Sequence, residues 1–294
     1  MKADFRCGYV VIVGKPNVGK STLMNKLIGE KLSITSEKPQ TTRLSIKGIF
    51  NDDDKQIIFL DTPGYLKPRY EMQERMLKQL TNTLKDADIL LYITDKNTFP
   101  TEYDQDLFAL LKSIKRPQIA LINKSDLKSN LTEEDIRQQL PASFEQVFFV
   151  SALKGDNLDK ILPAITQFLP YHEPFFETDQ LSDLPMRFFA QEIIREAIFH
   201  QYEQEIPYAT AVLIDKYEEL PDKTVIHATI WIERDSQKPI IIGKKGEGLR
   251  RIREYAEAQL NVFNGVPTQV HLWIKIKKNW RKNPSALREI GLRD

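Results

Sequence analysis

The sequence predicts two domains, an α/β domain with a mostly parallel sheet followed by a smaller α+β domain. Three observations carry that expectation. Residues 1–170 alternate continuous apolar runs with amphipathic stretches, the pattern of strands covered on both faces by helices. Pro170, Pro174 and Pro185 then bracket an acidic, aromatic segment. Beyond it, apolar and polar residues alternate, as in a sheet with one exposed face. The expected boundaries are 1–170, a linker at 171–185, and 186–294.

In the first domain, Val/Ile/Leu/Phe-rich runs predict strands at 9–13, 45–50, 57–60, 89–93, 119–122 and 147–150. The polar turn Asn51-Asp52-Asp53-Asp54 joins the second and third, so an antiparallel hairpin is expected there. Apolar residues at helical spacing predict helices at 72–84, 104–114 and 158–169. In the second domain the order is helix 188–202, strands 208–216 and 224–233, helical 240–260 and strand 268–276. Ile226, Ala228, Ile230 and Ile232 share one face. Val270, Leu272, Ile274 and Ile276 share another, opposite Gln269, His271, Trp273, Lys275 and Lys277.

The chain has 294 residues, 41% of them hydrophobic, and Cys7 as its one cysteine. Intrachain disulfides and cysteine-based zinc sites are thereby excluded, and a reducing cytoplasm fits. No run approaches the roughly 20 apolar residues of a membrane span. Asp4 and Arg6 interrupt the N-terminus, so no secretory leader is expected. Net charge is +1, yet residues 1–170 carry +2, 171–237 carry −9 and 238–294 carry +8. A basic final fifth fits a confined nucleic-acid contact; a solvated cationic surface is the alternative. His172, His200, His227 and His271 show no ligand spacing, so surface or structural roles are expected.

The motif Gly14-Lys15-Pro16-Asn17-Val18-Gly19-Lys20-Ser21 fits G-x-x-x-x-G-K-[ST]. It lies between an expected strand and the helical run from Thr22, the context of a phosphate-binding loop. Its glycines let backbone N–H groups crowd phosphate oxygens, Lys20 reaches the β and γ phosphates, and Ser21 can ligate Mg²⁺. Asp61-Thr62-Pro63-Gly64 follows the third strand. There Asp61 can hold Mg²⁺ through a water and the Gly64 N–H can sense the γ phosphate. Asn123-Lys124-Ser125-Asp126 follows the fifth strand. The Asp126 carboxylate can accept from N1–H and N2–H of guanine, a donor pair adenine lacks. The Lys124 stem can cover the base, and Ser151-Ala152-Leu153 can offer a backbone N–H to guanine O6. All these segments follow strands, where open α/β sheets place their sites.

These residues resemble the translation-factor-related GTPases, including Gln40-Thr41-Thr42-Arg43 in the loop corresponding to the first switch. The resemblance implies Thr42 as a further Mg²⁺ ligand, with Thr41 as runner-up. It assigns catalysis to Lys20, Asn17, Thr42, Asp61 and Gly64. Tyr65 stands where Ras-like enzymes carry a water-orienting glutamine. A subgroup with a hydrophobic residue there uses K⁺, marked by a loop asparagine; Asn17 holds that place, and loop shaping is its alternative role. Slow turnover helped by a partner follows.

Ile242-Gly243-Lys244-Lys245-Gly246 joins two helical turns. Its G-x-x-G lets the backbone approach a sugar–phosphate chain, with lysines supplying charge. The surrounding order α-β-β-α-α-β resembles the type II KH fold. Arg250 follows on the next helix, and Lys275, Lys277, Lys278, Trp280 and Arg281 form a basic cluster with an aromatic platform suited to single-stranded RNA. A protein-binding KH domain is the alternative. The whole chain resembles the Era family, bacterial GTPases of small ribosomal subunit assembly. Its most diagnostic part is Glu233-Arg234-Asp235-Ser236-Gln237-Lys238 running into Ile242–Gly246. The resemblance implies GTP/GDP and Mg²⁺ as ligands, and binding to 16S rRNA near its 3′ end and to the 30S subunit. It further implies a monomer in the cytoplasm with peripheral contact to the inner face of the membrane. A nucleotide-binding module with negligible turnover and an RNA-modification GTPase are the competing readings.

Overall fold

The computed structural model describes residues 4–293, which form two compact units. The first takes the chain up to Pro68 together with Met76–Asp183; the second takes Arg69–Arg75 together with the chain from Leu184 onward.

The first unit contains β1 (Arg6–Val13), α1 (Lys20–Ile28), β2 (Ile46–Asn51), β3 (Lys55–Asp61), α2 (Glu71–Thr83, whose first turn clusters with the second unit), β4 (Ile89–Asp95), α3 (Glu102–Lys112), β5 (Gln118–Asn123), α4 (Glu133–Gln139), β6 (Gln146–Phe149) and α5 (Ile161–Phe168). Its six strands run in the order β2-β3-β1-β4-β5-β6. All neighbours are parallel except β2 and β3, the expected hairpin, paired from Ile46↔Asp61 to Asn51↔Gln56. Val10 to Val13 and Leu90 to Ile93 are fully buried, which explains why these strands read as unbroken apolar runs. β1 is flanked by β3 and β4, so the chain after β1 enters the crevice where the strand order turns.

Two elements differ from expectation. α4 has a Thr132/Asp135 capping box but only Ile136 buried, too little apolar periodicity to read. The expected helix 158–169 is a 3₁₀ turn at Leu158–Lys160 followed by α5. The expected linker is also not free up to 185. Gln56 Oε1 accepts from the Phe175 and Phe176 N–H groups at 2.8 and 3.0 Å, and Leu181 O accepts from the Ile49 N–H at 2.8 Å. Ser182 bonds the Lys47 carbonyl, and Asp183 pairs with Lys47. The unpaired edge of β2 and the Gln56 side chain on β3 supply these partners, so 171–183 lies as a strap on the first unit.

The second unit contains α6 (Met186–Gln201), α7 (Ile206–Ala209), β7 (Ala211–Glu219), β8 (Thr224–Ile232), α8 (Gln237–Ile242), α9 (Glu247–Asn264), β9 (Thr268–Ile276) and α10 (Pro284–Glu289). β7 pairs antiparallel with β8, and β8 parallel with β9. Ile226, Ala228, Ile230 and Ile232 pack with Ile194, Ile198, Ile252, Ala256, Leu260 and Val270 in one core. Pro207 in the first turn of α7 converts the expected start of β7 into helix. The helical 240–260 stretch breaks at Gly243 (φ 71°) and Gly246 (φ 83°). Among the described residues, no helix is long and apolar enough to cross a membrane.

Candidate functional site

The loop from Gly14 to Ser21 joins β1 to α1 and is pressed against its neighbours on several sides. A Cβ on Gly14 would lie 2.2 Å from Ile93 O, and one on Gly19 (φ 100°) would lie 2.3 Å from Asn123 Nδ2. Only glycine fits either place. Lys20 is buried, its Nζ donating to Lys15 O at 2.8 Å within the loop. Burial lowers its pKa to about 8, the Asp61 carboxylate acting the other way. Pro16 touches Gly64, where a Cβ would meet Pro16 Cα at 2.8 Å. Tyr65 N–H donates to Gly14 O at 3.0 Å, so the Asp61–Gly64 segment and the glycine loop are stitched together. Asn17 has φ 65°, and its carboxamide donates to the Glu37 carbonyl in the loop before β2. Thr22 and Val18 continue the motif, Thr22 lining the same cleft as Lys20 and Thr42.

Asp61, at the end of β3, is fully buried, and burial pushes its carboxyl above the usual range. Its Oδ2 accepts from Ser21 Oγ at 2.6 Å, Ser33 Oγ at 2.9 Å and Thr42 Oγ1 at 3.4 Å. Ser21 Oγ and Thr42 Oγ1 are 3.0 Å apart. Asp61 Oδ1 is buried without a hydrogen-bond partner. Two hydroxyls and a carboxylate with one orphaned oxygen form the hard oxygen set that suits Mg²⁺. Between the two threonines, Thr42 converges on this set, whereas the Thr41 hydroxyl donates to Lys38 O at 2.7 Å. Thr62, next in the chain, anchors its hydroxyl to Ile12 O at 2.8 Å, and Pro63 leads into Gly64.

Past β5, Asn123 ties two loops together. Its Nδ2 donates to Val18 O at 2.7 Å and its Oδ1 accepts from the Ala152 N–H at 2.9 Å. It thus joins the glycine loop to the Ser151–Leu153 loop. Ser151 N–H donates to Asp156 O at 3.2 Å, so the amides of Ser151 and Ala152 serve the loop itself, while Leu153 is 69% exposed. Lys124 (φ 61°) pairs with Asp95 at 2.7 Å, and Asp126 stands exposed beyond it.

Sequence reasoning missed three supporting residues. Ser33 holds Asp61; Asn25 orders the turn around it, accepting from Leu32 and Ser33 N–H groups at 3.0 and 2.9 Å. Asp104 holds Lys15. None lies in a motif, and the one available signal was the Thr101…Asp104 capping-box spacing at α3. Tyr65 packs edge-on against Tyr103, ring centres 6.4 Å apart, and burial raises its phenol pKa. It presents no amide to a water.

In the second unit, Gly243–Gly246 forms the tight turn between α8 and α9, with Lys244 and Lys245 exposed at its tip. A Cβ on Gly243 would lie 2.7 Å from Gly248 N, and one on Gly248 would lie 2.3 Å from Ile241 O. Tyr202 Oη donates to Ile241 O at 2.8 Å and Gln201 Nε2 to Gly248 O at 3.0 Å, bracing the turn from α6. Ile242 is half-buried beneath it, and Arg250 is exposed on α9.

The expected aromatic platform is corrected. Trp280 is fully buried, its Nε1 donating to Ala209 O at 2.9 Å, so it is a core residue and cannot stack on a base. Arg281 is held by Glu233, and Lys277 lies over the Trp231 ring at 4.5 Å with Glu289 at 3.3 Å. Lys275 and Lys278 remain exposed. The exposed aromatic is Trp273, which the alternation placed on the outer face without a role.

A family model described as 50S ribosome-binding GTPase matches residues 9–124, and a KH domain model matches 205–281. Fold and site together define a P-loop GTPase domain followed by a KH domain. The chain is 40% identical over 294 residues to GTPase Era of Caldicellulosiruptor saccharolyticus, covering 98% of this chain and 97% of that protein. The chain belongs to the Era family of GTPases. A crystal structure of Era in complex with MgGDPNP and nucleotides 1506–1542 of 16S ribosomal RNA superimposes with TM-score 0.93 at 37% identity, covering 99% of this chain and 100% of that one. A variant of Aquifex aeolicus Era bound to GDP and aluminium fluoride gives 0.92 at 36%, with the same coverage of 99% and 100%.

Proposed function

We propose that the chain binds and hydrolyses GTP and, through its KH domain, binds 16S rRNA near its 3′ end to assist assembly of the small (30S) subunit. The observation that carries the nucleotide half is the convergence of Ser21, Thr42 and Asp61 beside Lys20, with Asp61 Oδ1 left over. In this reading Ser21 and Thr42 hold Mg²⁺ directly and Asp61 through a water. Bound Mg²⁺ neutralises charge on the β and γ phosphates. The loop amides of Asn17–Ser21 cradle the phosphates, Lys20 leaves Lys15 O for the β and γ oxygens, and the Gly64 N–H senses the γ phosphate. Lys124 covers the base and Asp126 selects guanine.

No glutamine orients water here, so transition-state charge falls to the loop and its ions. Asn17, already bonded to the Glu37 carbonyl, is the residue placed to share a K⁺ with that loop. Single-turnover phosphate release, with K⁺ or Na⁺ as the monovalent ion, tests this. Release stimulated by K⁺ is expected; no release in either salt, even with RNA present, refutes the enzyme reading.

RNA contact rests on the exposed Lys244 and Lys245 at a turn built for close backbone approach, with Arg250, Lys275 and Lys278 adding charge. RNA affinity is expected to differ between GTP analogue, GDP and no nucleotide; equal affinities would remove the switch. A cytoplasmic monomer that contacts the membrane peripherally belongs to the same proposal and rests on the family resemblance.

A further inference from the structure

We infer that the open face of the β8–β9 pair is a second platform for single-stranded RNA, with Trp273 as the base-stacking residue. The inference rests on the RNA reading above and adds a site to it. The parallel register sets His227 beside His271 and Thr229 beside Trp273. The three rings form one cluster. The His227 imidazole lies nearly parallel to the Trp273 indole, 12° between planes and 5.4 Å between centres. His271 stacks on His227 at 4.8 Å. This cluster projects from the face opposite the core, which is filled by Ile226, Ala228, Val270 and the buried side of α9.

An indole that is 51% exposed has a hydrophobic cost unless something covers it. The charge around it says what. Neither β8 nor β9 contains an Asp or Glu. Lys275 is exposed two residues along the same face, and Lys223 reaches Gln269 Oε1 at 3.3 Å at the other end. Of the three acids on β7, Asp215 accepts from Thr229 Oγ1 at 2.7 Å, Glu218 pairs with Lys216 at 2.7 Å, and Glu219 lies at the far end of the strand opposite Thr224. A flat ring held upright by a second ring, with lysines at both ends and no acid on either strand that bears it, matches the stacking-plus-backbone-charge design that single strands need.

The KH turn clamps about four nucleotides, so a longer strand has chain to spare for this face. The test uses the full chain with a fluorescently labelled tetranucleotide and an unstructured RNA of roughly 20 nucleotides. Trp231 and Trp280 are buried, so exposed indole emission reports Trp273. The longer RNA should quench that emission. Trp273→Ala should weaken the longer RNA by roughly tenfold while leaving the tetranucleotide unchanged, and Trp273→Phe should restore most of the loss. Thermal melting of both variants should match the parent, since the side chain is exposed. Equal binding of the longer RNA by parent and Trp273→Ala, or labelled RNA bound without quenching, overturns the platform while leaving the KH reading intact. No RNA binding by the parent overturns both.

Discussion

Lys15 Nζ lies 2.8 Å from Asp104 Oδ2, and the Asp104 side chain is fully buried. A residue of the glycine loop is therefore fixed to the first turn of α3. The same carboxylate accepts from Tyr92 Oη at 2.7 Å, Thr94 Oγ1 at 3.1 Å, and the Thr101 N–H and hydroxyl at 2.8 Å each. The loop that holds phosphate is thus braced from outside its own motif.

Removing one side of that pair strands a buried charge. Asp104→Ala should destabilise the first unit by about 3–5 kcal/mol and weaken GTP binding. Urea unfolding and nucleotide titration check this. An unchanged midpoint would mean that Lys15 is anchored elsewhere.

The same carboxylate makes the fold acid-sensitive. Burial pushes the Asp104 pKa up, but hydrogen bonds from Lys15, Tyr92 and Thr101 outweigh it and the pKa lies below the ordinary value. A depressed carboxyl contributes stability above its unfolded pKa of about 3.9 and loses it as pH falls through the folded value. The parent should lose stability below about pH 4, and Asp104→Asn should show a shallower loss there. Melting temperature against pH reads the difference.

Ser33 is the support that no motif announced. Its hydroxyl donates to Asp61 at 2.9 Å in a buried site. Ser33→Ala should cost about 1 kcal/mol in stability and raise the Mg²⁺ concentration needed to slow GDP release. Release kinetics at graded Mg²⁺ would show no shift if Ser33 were mere filling.

Asp126→Asn should lower GTP affinity at least about tenfold and favour xanthine nucleotides, because an amide N–H opposes the donating 2-amino group of guanine and suits the accepting O2 that xanthine carries there. Competition binding decides, and retained guanine preference would remove Asp126 from the base site.

Two changes in the second unit should behave oppositely. Trp280→Ala should destabilise the second unit by about 3–5 kcal/mol, since it empties a core position and frees Ala209 O. Replacing Lys244 and Lys245 together with Ala should leave stability unchanged and reduce the salt slope of RNA binding by about 2. Denaturation and binding at graded KCl separate the two effects.

Motif and period alone were enough to place the glycine loop, Asp61–Gly64, Asn123–Asp126 and Gly243–Gly246. Each depends on local geometry: a strand end, a helix start, a glycine where no Cβ fits. The same holds for the β2–β3 hairpin, set by one polar turn. The alternation set Trp273 on the outer face, but nothing local said that Trp280 is core, because it sits among lysines and a tryptophan suits either place. Nor could the sequence pair Lys15 with Asp104 or His227 with Trp273, partners 89 and 46 residues apart, since no local pattern records which strands become neighbours. The strap at 171–183 shows the same limit: its prolines and acids read as a linker, and only the folded sheet, through Phe5, Gln56 and the open edge of β2, gave its backbone somewhere to bond. Local chemistry was written in the chain, and long-range neighbourhood was decided by packing.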